Sequence, residues 1–233
     1  RKEVSMRDKN ILVIGLGVSG IACIKGLSML GANLYVYDGN KQSAEKLKEV
    51  ENIKAEYYFG TDEIEKINMD CLDLAIKSPG ISYEVPIIKR LKEKNVRVVS
   101  DIEAAYMVTD APIVSITGTN GKTTTTALVG EIVKESKKSC KVTGNIGFGM
   151  FYDAVSSHKG DILVAEVSSF QLAGTSEYKP HISIITNITP DHLDYHHTME
   201  NYVEAKFKNV VNQDESDYAI LNYEDEIIMN FSS

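Results

Sequence analysis

The sequence predicts an α/β fold in which a Rossmann-like N-terminal domain is followed by a second α/β domain of the P-loop type. Apolar, strand-like runs alternate with helix-like segments along the chain, a rhythm typical of parallel sheets covered by helices. Glycine-rich turns follow the first strand, at 15–20, and the strand at 113–117. Asp110-Ala111-Pro112 lies between the two patterns, so we place the domains at 1–110 and 111–233.

The first domain is expected to alternate strands and helices from its first apolar run. Ile11 to Gly15 predicts a strand, and the helix-like segment from Ser19 to Leu30 ends at Gly31, a typical C-terminal glycine. The remaining elements are strand 34–37, helix 44–50, strand 72–76, helix 87–94 and strand 96–99.

The second domain repeats this pattern after Pro112. We expect no helix after its last strand, which leaves an edge uncovered, so this central domain is expected to be incomplete. Its predicted elements are strand 113–117, helix 123–135, strand 162–167, strand 182–187, helix 199–211 and strand 218–221.

Composition narrows the class of protein. The 233 residues carry a net charge of −8, with 33 acidic and 25 basic side chains, which argues against nucleic acid or an anionic membrane as the main partner. Cys23, Cys71 and Cys140 are far apart and lack metal-binding spacing. The sequence has no apolar run of about 18 residues and its charged N-terminus has no signal-peptide core. We therefore expect a cytoplasmic protein.

The most informative stretch is the turn from Gly118 to Thr124, Gly-Thr-Asn-Gly-Lys-Thr-Thr, between an apolar strand and a helix. Backbone N–H groups of such a loop point at phosphate, and the helix N-terminus adds its positive dipole end. We expect Lys122 to reach the outer phosphates and Thr123 to ligate Mg²⁺. Ile116 stands where the longer pattern has its first glycine, so this is a shortened form.

A second glycine turn, Gly15-Leu16-Gly17-Val18-Ser19-Gly20, opens the first helix, and Asp38 ends the second strand. The glycines allow close approach to a diphosphate, and the acid has the spacing of a ribose contact. These residues alone favour a dinucleotide cofactor or another nucleotide. The alternative is a turn that only packs the helix on the strand.

Glu166 ends an apolar strand, where a charge is costly unless it is paired or bound to a metal. Ligands of doubly wound sheets bind at the carboxyl ends of strands. Glu166 is therefore a candidate Mg²⁺ ligand, and the alternative is an exposed glutamate at a strand end.

Three of the five histidines fall in the segment 186–197, beside Asp191 and Asp194. Imidazole and carboxylate groups could hold a divalent ion, with His192 the best candidate. His196 and His197 are expected to be solvated, and the whole segment could be a polar loop.

Two further residues carry little signal by themselves. Lys206 lies in a predicted helix and alone indicates a surface lysine. Asn145, in the turn Gly144-Asn145-Ile146-Gly147, has an amide that could bind a substrate carbonyl, or the segment is simply a turn.

In this order the motifs resemble those of the Mur ligases, the ATP-dependent amide ligases of peptidoglycan precursor synthesis. The ending Phe170-Gln171-Leu172 favours the member that adds D-glutamate, and the turn at 15–20 argues against the member that adds diaminopimelate or lysine. The resemblance covers the whole chain through the segments 15–20, 78–81, 118–124, 144–147, 166–172 and 186–194 with Lys206.

The resemblance implies a site for UDP-N-acetylmuramoyl-L-alanine in place of NAD. It implies one Mg²⁺ held by Thr123 and Glu166, and a second held by His192 and a Lys206 that CO₂ has carbamylated. Gly39 stands where the family often has a hydroxyl residue after the acid. Substrate contacts fall to Gly15, Gly17, Val18, Ser19, Asp38, Gly80, Asn145 and His192, and ATP contacts to Gly118, Thr119, Asn120, Gly121, Lys122, Thr123 and Thr124.

The implied reaction uses ATP to convert the substrate carboxylate into an acyl phosphate, which the amine of D-glutamate attacks. Lys122, Glu166, His192 and Lys206 would be the catalytic residues. The family's third domain, which binds the amino acid, is expected to be absent from this chain, so we expect a monomer that does not complete catalysis alone. Alternatives are another Mur-type ligase, a nicotinamide-dependent oxidoreductase or a non-catalytic nucleotide-binding module.

Overall fold

The structure, a computed structural model, describes residues 4–231 and contains two five-stranded sheets whose paired strands are all parallel. Three short 3₁₀ segments lie among the elements of the first sheet, at Lys41–Glu49, Thr61–Lys66 and Met69–Cys71. The strands and helices of this part are β1 (Asn10–Ile14), α1 (Val18–Met29), β2 (Asn33–Asp38), β3 (Glu56–Phe59), β4 (Leu74–Lys77), α2 (Pro86–Glu93), β5 (Val98–Ser100) and α3 (Asp101–Val108).

The second sheet begins at residue 113. Its elements are β6 (Ile113–Thr117), α4 (Lys122–Glu135), β7 (Cys140–Gly144), α5 (Met150–Val155), β8 (Ile162–Glu166), α6 (Ser169–Ala173), β9 (Ile182–Ile185), α7 (Leu193–His196), α8 (Met199–Phe207), β10 (Tyr218–Leu221) and α9 (Glu226–Phe231). Within the described residues, none of the helices combines the length and apolar character that crossing a bilayer requires.

Strand order locates the place in each sheet where a ligand can bind. The orders are β3-β2-β1-β4-β5 and β10-β9-β6-β8-β7. The chain leaves β1 and β4 in opposite directions, and it does the same after β6 and β9. Open parallel sheets bind ligands in the crevice between such strands, at their carboxyl ends. The two glycine turns follow β1 and β6, so both lie at switch points.

Both faces of the first sheet are covered, as the continuous apolar run of β1 indicates. Ile11 and Val13 pack into one core cluster, and Leu12 and Ile14 pack into another on the opposite face. Alternate side chains of a strand point to opposite faces, so one five-residue strand serves two cores. The predicted α/β class is confirmed.

Several predicted elements differ from the structure. Residues 44–49 of the helix predicted at 44–50 lie in the 3₁₀ helix Lys41–Glu49, and Val50 is its C-cap. Only Ser43 is buried within this 3₁₀ helix, so there is no apolar stripe to stabilise an α-helix. The helix predicted at 199–211 ends at Phe207. The prediction that no helix follows the last strand was wrong, because α9 follows β10 and buries Ile228. The elements β3, β7, α3, α5, α6 and α7 were not predicted.

Helices from the two sheets pack directly on one another. Gly26 of α1 faces Phe151 of α5, and a Cβ atom at Gly26 would lie 2.8 Å from the phenyl ring. Phe151 is buried in the same core cluster as residues of α1 and α3. The largest core therefore spans both sheets, and the absence of a side chain at Gly26 permits the close packing.

Glu103, in the first turn of α3, joins the first sheet to the loop after α6. Its buried carboxylate accepts hydrogen bonds from the backbone N–H groups of Ser176, Glu177 and Tyr178 at 2.9–3.2 Å. The Ser176 hydroxyl donates at 2.9 Å and Arg97 Nη2 donates at 3.0 Å. Five donors thus compensate the loss of hydration of this charge.

Asp101, at the start of α3, makes a second connection between the sheets. Both carboxylate oxygens accept from Gln171 Nε2, at 3.3 and 3.1 Å, and the Ser19 hydroxyl also binds Asp101. Gln171 Oε1 accepts from Ser168 N at 3.0 Å. Burial raises the pKa of Asp101, while the bonds from Gln171 and Ser19 oppose that rise. One carboxylate therefore links the first turn of α1 with the start of α6.

Gly174 lies where the two connections meet. Its carbonyl accepts from Ser100 N at 3.2 Å. A Cβ atom here would lie 2.1 Å from the Tyr83 hydroxyl and 2.9 Å from Ser100 Cβ. The two sheets approach too closely at this point for any side chain.

We predict that Glu103→Gln lowers the free energy of unfolding by about 3 kcal/mol, because a neutral amide cannot accept from all five donors. Chemical denaturation of the 233-residue chain measures this. The matched control is Glu177→Gln, which removes an exposed ion pair with Arg97 (2.7 Å) and should change stability by less than about 0.5 kcal/mol. Equal effects of the two substitutions would contradict the role given to Glu103.

Candidate functional site

The glycine loop of the second sheet begins where β6 ends and closes at the start of α4. Gly121 has φ +80°, in the left-handed region that favours glycine. Gly118 has φ +148°, and a Cβ atom there would lie 1.9 Å from Thr186 Oγ1. The loop therefore needs one glycine for its turn and the other for close contact with the neighbouring loop.

That neighbouring loop, residues 186–189, follows β9 and holds the glycine loop by hydrogen bonds. Asn120 N donates to Asn187 Oδ1 at 2.9 Å, and Thr186 Oγ1 donates to Asn120 O at 2.7 Å. Thr119 N donates to Asn187 O at 2.8 Å. Since these loops follow β6 and β9, the bonds fix both sides of the crevice at the switch point.

The start of α4 presents groups suited to an anion. Gly121 caps the helix without a side-chain hydrogen bond, so the orphan N–H groups of the first turn are not used by a capping side chain. Lys122 Nζ donates to Thr119 O at 2.7 Å. Thr123 and Thr124 are exposed in the same turn. The predicted phosphate-loop residues are thus contiguous around one helix N-terminus.

Glu166 ends β8 and is buried, which excludes the alternative of an exposed strand-end residue. Its Oε1 accepts from Asn145 Nδ2 at 3.2 Å, and its backbone O accepts from Asn145 N at 2.8 Å. Its Oε2 is buried with no partner among the described residues. A buried carboxylate oxygen without a partner is costly unless a cation or ligand binds it.

The surroundings of Glu166 fit Mg²⁺ that arrives with a phosphate ligand. Thr117 Oγ1, at the end of β6, is also buried and unpartnered in the described chain. Over residues 4–231, no group of three or more His, Cys, Asp and Glu side chains is arranged to hold a metal. Mg²⁺ commonly binds through one or two carboxylates together with substrate phosphates and water.

Lys206 is buried, contrary to the surface position that its helix alone indicates. Its Nζ donates to Gly118 O at 2.7 Å and lies 4.7 Å from the centre of the Tyr202 ring. Burial first, and repulsion from Lys122 second, lower the pKa of Lys206 to about 7, while Asp191 opposes the shift. This amine is therefore partly neutral near pH 7 and lies beside the glycine loop.

The histidines after β9 are distributed differently from the prediction. His196, expected to be solvated, is buried, and its Nε2 lies 2.9 Å from Ser169 Oγ. Burial lowers the pKa of His196. His192 is exposed, with Nε2 3.4 Å from Asp191 Oδ2 and its ring 4.8 Å from that of Phe170. The structure differs because Ser169 and Phe170, which are distant in sequence, contact His196, with the two ring centroids 5.7 Å apart.

The glycine turn of the first sheet packs against the turn that follows β4. Ser78 Oγ donates to Gly15 O at 3.2 Å. A Cβ atom at Gly20 would lie 1.9 Å from Gly15 O, so the third glycine permits close contact between helix and strand. Gly17 caps α1 without a side-chain bond and Val18 is exposed beside it.

Asp38 binds the glycine turn itself. Its Oδ2 accepts from Leu16 N at 2.8 Å, and its Oδ1 accepts from Asn40 N at 2.9 Å. Gly39, between Asp38 and Asn40 in the sequence, is exposed, and Gly80 is exposed as well. The predicted first-sheet residues therefore gather at the β1–β4 switch point, and Asp38 has a local role in shaping the turn.

Sequence reasoning missed Lys77, Asp101 and Asn187. Lys77 is fully buried at the end of β4. A charged residue that closes the apolar run Leu74-Ala75-Ile76 is the signal that drew attention to Glu166, and it applies equally here. Asp101 and Asn187 act across sheets or loops, so no local pattern could identify them.

Comparison with known families gives two adjoining matches. Residues 9–100 match the MurD-like N-terminal domain of Mur ligases, and residues 116–233 match the Mur ligase middle domain. The resemblance predicted from the motifs is confirmed.

Curated relatives are more than 40% identical to this chain in sequence. The UDP-N-acetylmuramoylalanine--D-glutamate ligase of Thermoanaerobacter pseudethanolicus is 43% identical over 96% of this chain and 49% of its own length. The enzyme of that name from Caldanaerobacter subterraneus subsp. tengcongensis is 42% identical over 96% of this chain and 50% of its own length. The chain thus spans about half the length of these relatives.

Solved structures agree on the fold. The UDP-N-acetylmuramate:L-alanyl-gamma-D-glutamyl-meso-diaminopimelate ligase from Neisseria meningitides aligns with a TM-score of 0.65 at 13% identity, over 95% of this chain and 74% of its own. With about half of the residues matching the Mur ligase middle domain and the preceding part matching the N-terminal domain, the chain belongs to the Mur ligase family.

Proposed function

We propose that this protein is an ATP-dependent amide ligase that adds D-glutamate to UDP-N-acetylmuramoyl-L-alanine in peptidoglycan precursor synthesis. The observation that carries the proposal is the contact of the buried Lys206 amine with Gly118 of the glycine loop. A buried lysine is costly unless it serves a ligand or a reaction, and this one lies beside the loop that is proposed to bind the phosphates of ATP. The names of the relatives support the choice of substrates.

In this proposal the second sheet binds ATP. The N–H groups of the glycine loop and of the first turn of α4 bind phosphates, and Lys122 exchanges its bond with Thr119 O for the outer phosphates. When bound, ATP with Mg²⁺ would supply the γ-phosphoryl group for an acyl phosphate on the substrate carboxylate, with ADP as the leaving group. Inorganic phosphate would leave when the amine of D-glutamate attacks. The ATP contacts are Gly118, Thr119, Asn120, Gly121, Lys122, Thr123 and Thr124.

Glu166 and Thr123 are the proposed ligands of one Mg²⁺. The unpartnered Oε2 of Glu166 supports this assignment, and Thr123 lies exposed in the adjoining helix turn. Asn145, bonded to the other carboxylate oxygen, orients Glu166 and contacts the substrate in the same proposal.

His192 and a carbamylated Lys206 are the proposed ligands of a second Mg²⁺. A lysine reacts with CO₂ only as the neutral amine, and the pKa of Lys206 near 7 makes that form available. The carbamate would exchange a cation for anionic oxygens and remove the repulsion from Lys122. Because Lys206 touches the loop at Gly118, these oxygens would lie near the phosphates.

The first sheet is proposed to bind the UDP-sugar. The turns after β1 and β4 flank its switch point, and their packing at Ser78 and Gly15 supports a single diphosphate site. Residues proposed to contact the substrate are Gly15, Gly17, Val18, Ser19, Asp38, Gly80, Asn145 and His192.

The domain division and the surroundings of the protein are proposals too. Two sheets and two family matches support domains at 1–110 and 111–233. Three free cysteines support a reducing, cytoplasmic location. We also propose that the protein is a monomer.

We predict that isothermal titration shows saturable binding of UDP-N-acetylmuramoyl-L-alanine to the 233-residue chain and none of NAD, the ligand control. The reason is that the Gly15–Gly20 turn is proposed to hold a UDP diphosphate. Binding of NAD with no binding of the UDP-sugar would overturn the assignment of the first sheet.

We predict that Glu166→Gln removes most of the increase in ATP affinity that Mg²⁺ produces, about tenfold or more, because an amide is a poor Mg²⁺ ligand. Titration of ATP with and without Mg²⁺ measures the effect, and thermal unfolding verifies that the variant folds. The control is Glu131→Gln, which replaces an exposed carboxylate on α4. An unchanged Mg²⁺ effect in Glu166→Gln would remove Glu166 from the metal site.

We predict a carbamate signal in ¹³C NMR of the chain in ¹³C-bicarbonate, absent from Lys206→Arg because guanidinium does not react. The signal should grow as the pH rises through about 7, since the lowered pKa frees the neutral amine. Lys208→Arg, which replaces a half-buried lysine at the C-cap of the same helix, should keep the signal. A spectrum unchanged by Lys206→Arg would contradict carbamylation.

A further inference from the structure

Lys77 has no part in the reaction described above, yet it is fully buried at the carboxyl end of β4. Its Nζ donates to the carbonyls of Ser78, Pro79 and Ile81 at 3.1, 3.2 and 2.6 Å. An ammonium group has three N–H donors. All three therefore bind one turn, the turn that follows β4.

This bonding is unusual for a buried cation. No carboxylate of the described chain lies within ion-pair distance of Lys77, and the partners are neutral carbonyls with the Tyr83 ring 4.6 Å away. Burying an ammonium group costs on the order of several kcal/mol. An apolar side chain would avoid that cost but would leave the three carbonyls without this donor.

The turn that Lys77 holds is in direct contact with the glycine turn after β1. Ser78 N donates to Ile14 O at 2.9 Å, and Ser78 Oγ donates to Gly15 O at 3.2 Å. A Cβ atom at Gly15 would lie 2.7 Å from Ile81 Cδ1. Movement of the turn would therefore displace both Gly15 and the exposed Gly80.

We propose that Lys77 is a positioning residue for the UDP-sugar site. Its ammonium group holds three carbonyls of the turn 78–81 and so fixes that turn against the glycine turn at Gly15. The inference rests on the proposed function, because it names the UDP-sugar as the ligand of these two turns.

The state of the amine should matter, because a neutral amine has only two N–H donors for three carbonyls. Burial lowers the pKa of Lys77 to about 8, and Asp101, the charged group that acts on it from α3, opposes the shift. Tyr83, the titratable group over the amine, has its own pKa raised by burial and stays neutral in this range. Affinity for the UDP-sugar should therefore fall as the pH rises through about 8.

The test compares Lys77→Met with wild type by calorimetric titration of the 233-residue chain at pH 7. We expect about tenfold weaker binding of UDP-N-acetylmuramoyl-L-alanine, equivalent to one or two lost charged hydrogen bonds. Affinity for Mg·ATP should be unchanged, since that site is on the other sheet. Lys92→Met is the matched control, because its Nζ lies over the same Tyr83 ring at 5.6 Å without binding the turn.

A pH series from about 7 to about 9 is the second measurement, chosen because a merely structural lysine would not produce it. Wild type should lose affinity for the UDP-sugar several-fold, while Lys77→Met stays level. Equal affinities of wild type and Lys77→Met would overturn the inference and leave the proposed function intact. A wild type that binds no UDP-sugar would overturn both. If Lys77→Met does not fold, a level wild-type profile overturns the inference.

Discussion

Two carboxylates in the first turn of α3 set the distance between the two sheets, and each accepts hydrogen bonds from the opposite side. Glu103 binds three consecutive N–H groups of the loop after α6, and Asp101 binds the Gln171 amide. Because both groups are buried, their bonds are screened little by solvent. The proposed reaction needs a sugar-linked carboxylate and a phosphate to meet, so it depends on this spacing. The hydrogen bonds of α3 therefore also determine how the two glycine turns, one on each sheet, lie relative to each other.

The phosphate loop shows the opposite arrangement, in which charges remain poorly compensated. Glu166 has an oxygen without a partner, and the buried Lys206 repels Lys122. These features lower the stability of the free protein, and bound phosphate and metal would relieve them. The contacts of Asp101 and Glu103 between the sheets therefore stabilise the fold. The glutamate and the two lysines around the Gly118 loop instead stay available for ligands, at a cost in stability.

Local sequence predicted the elements whose signal is local. The ranges of β6 and β10 match the prediction residue for residue, because apolar or β-favouring runs bounded by turns define them. α3 was missed although Ser100 and Glu103 have the spacing of a helix start, and the Ser100 hydroxyl accepts from Glu103 N. The burial of Asp101 and Glu103 could not be predicted, because their partners lie far along the chain. The same long-range burial explains the errors at Lys206 and His196. Sequence could place the glycine loops and Glu166, but not the partners that enclose them.

Gly174 shows how little space the contact between the two sheets leaves for a side chain. With 2.1 Å between its absent Cβ atom and the Tyr83 hydroxyl, a hydrogen atom is the largest substituent that fits. A methyl group would have to separate the loop of one sheet from the loop of the other. Solvent could then enter the gap and hydrate Asp101, so that water would compete with Gln171 for the carboxylate. The burial of Asp101 at the junction between the sheets thus depends on the smallest residue in it.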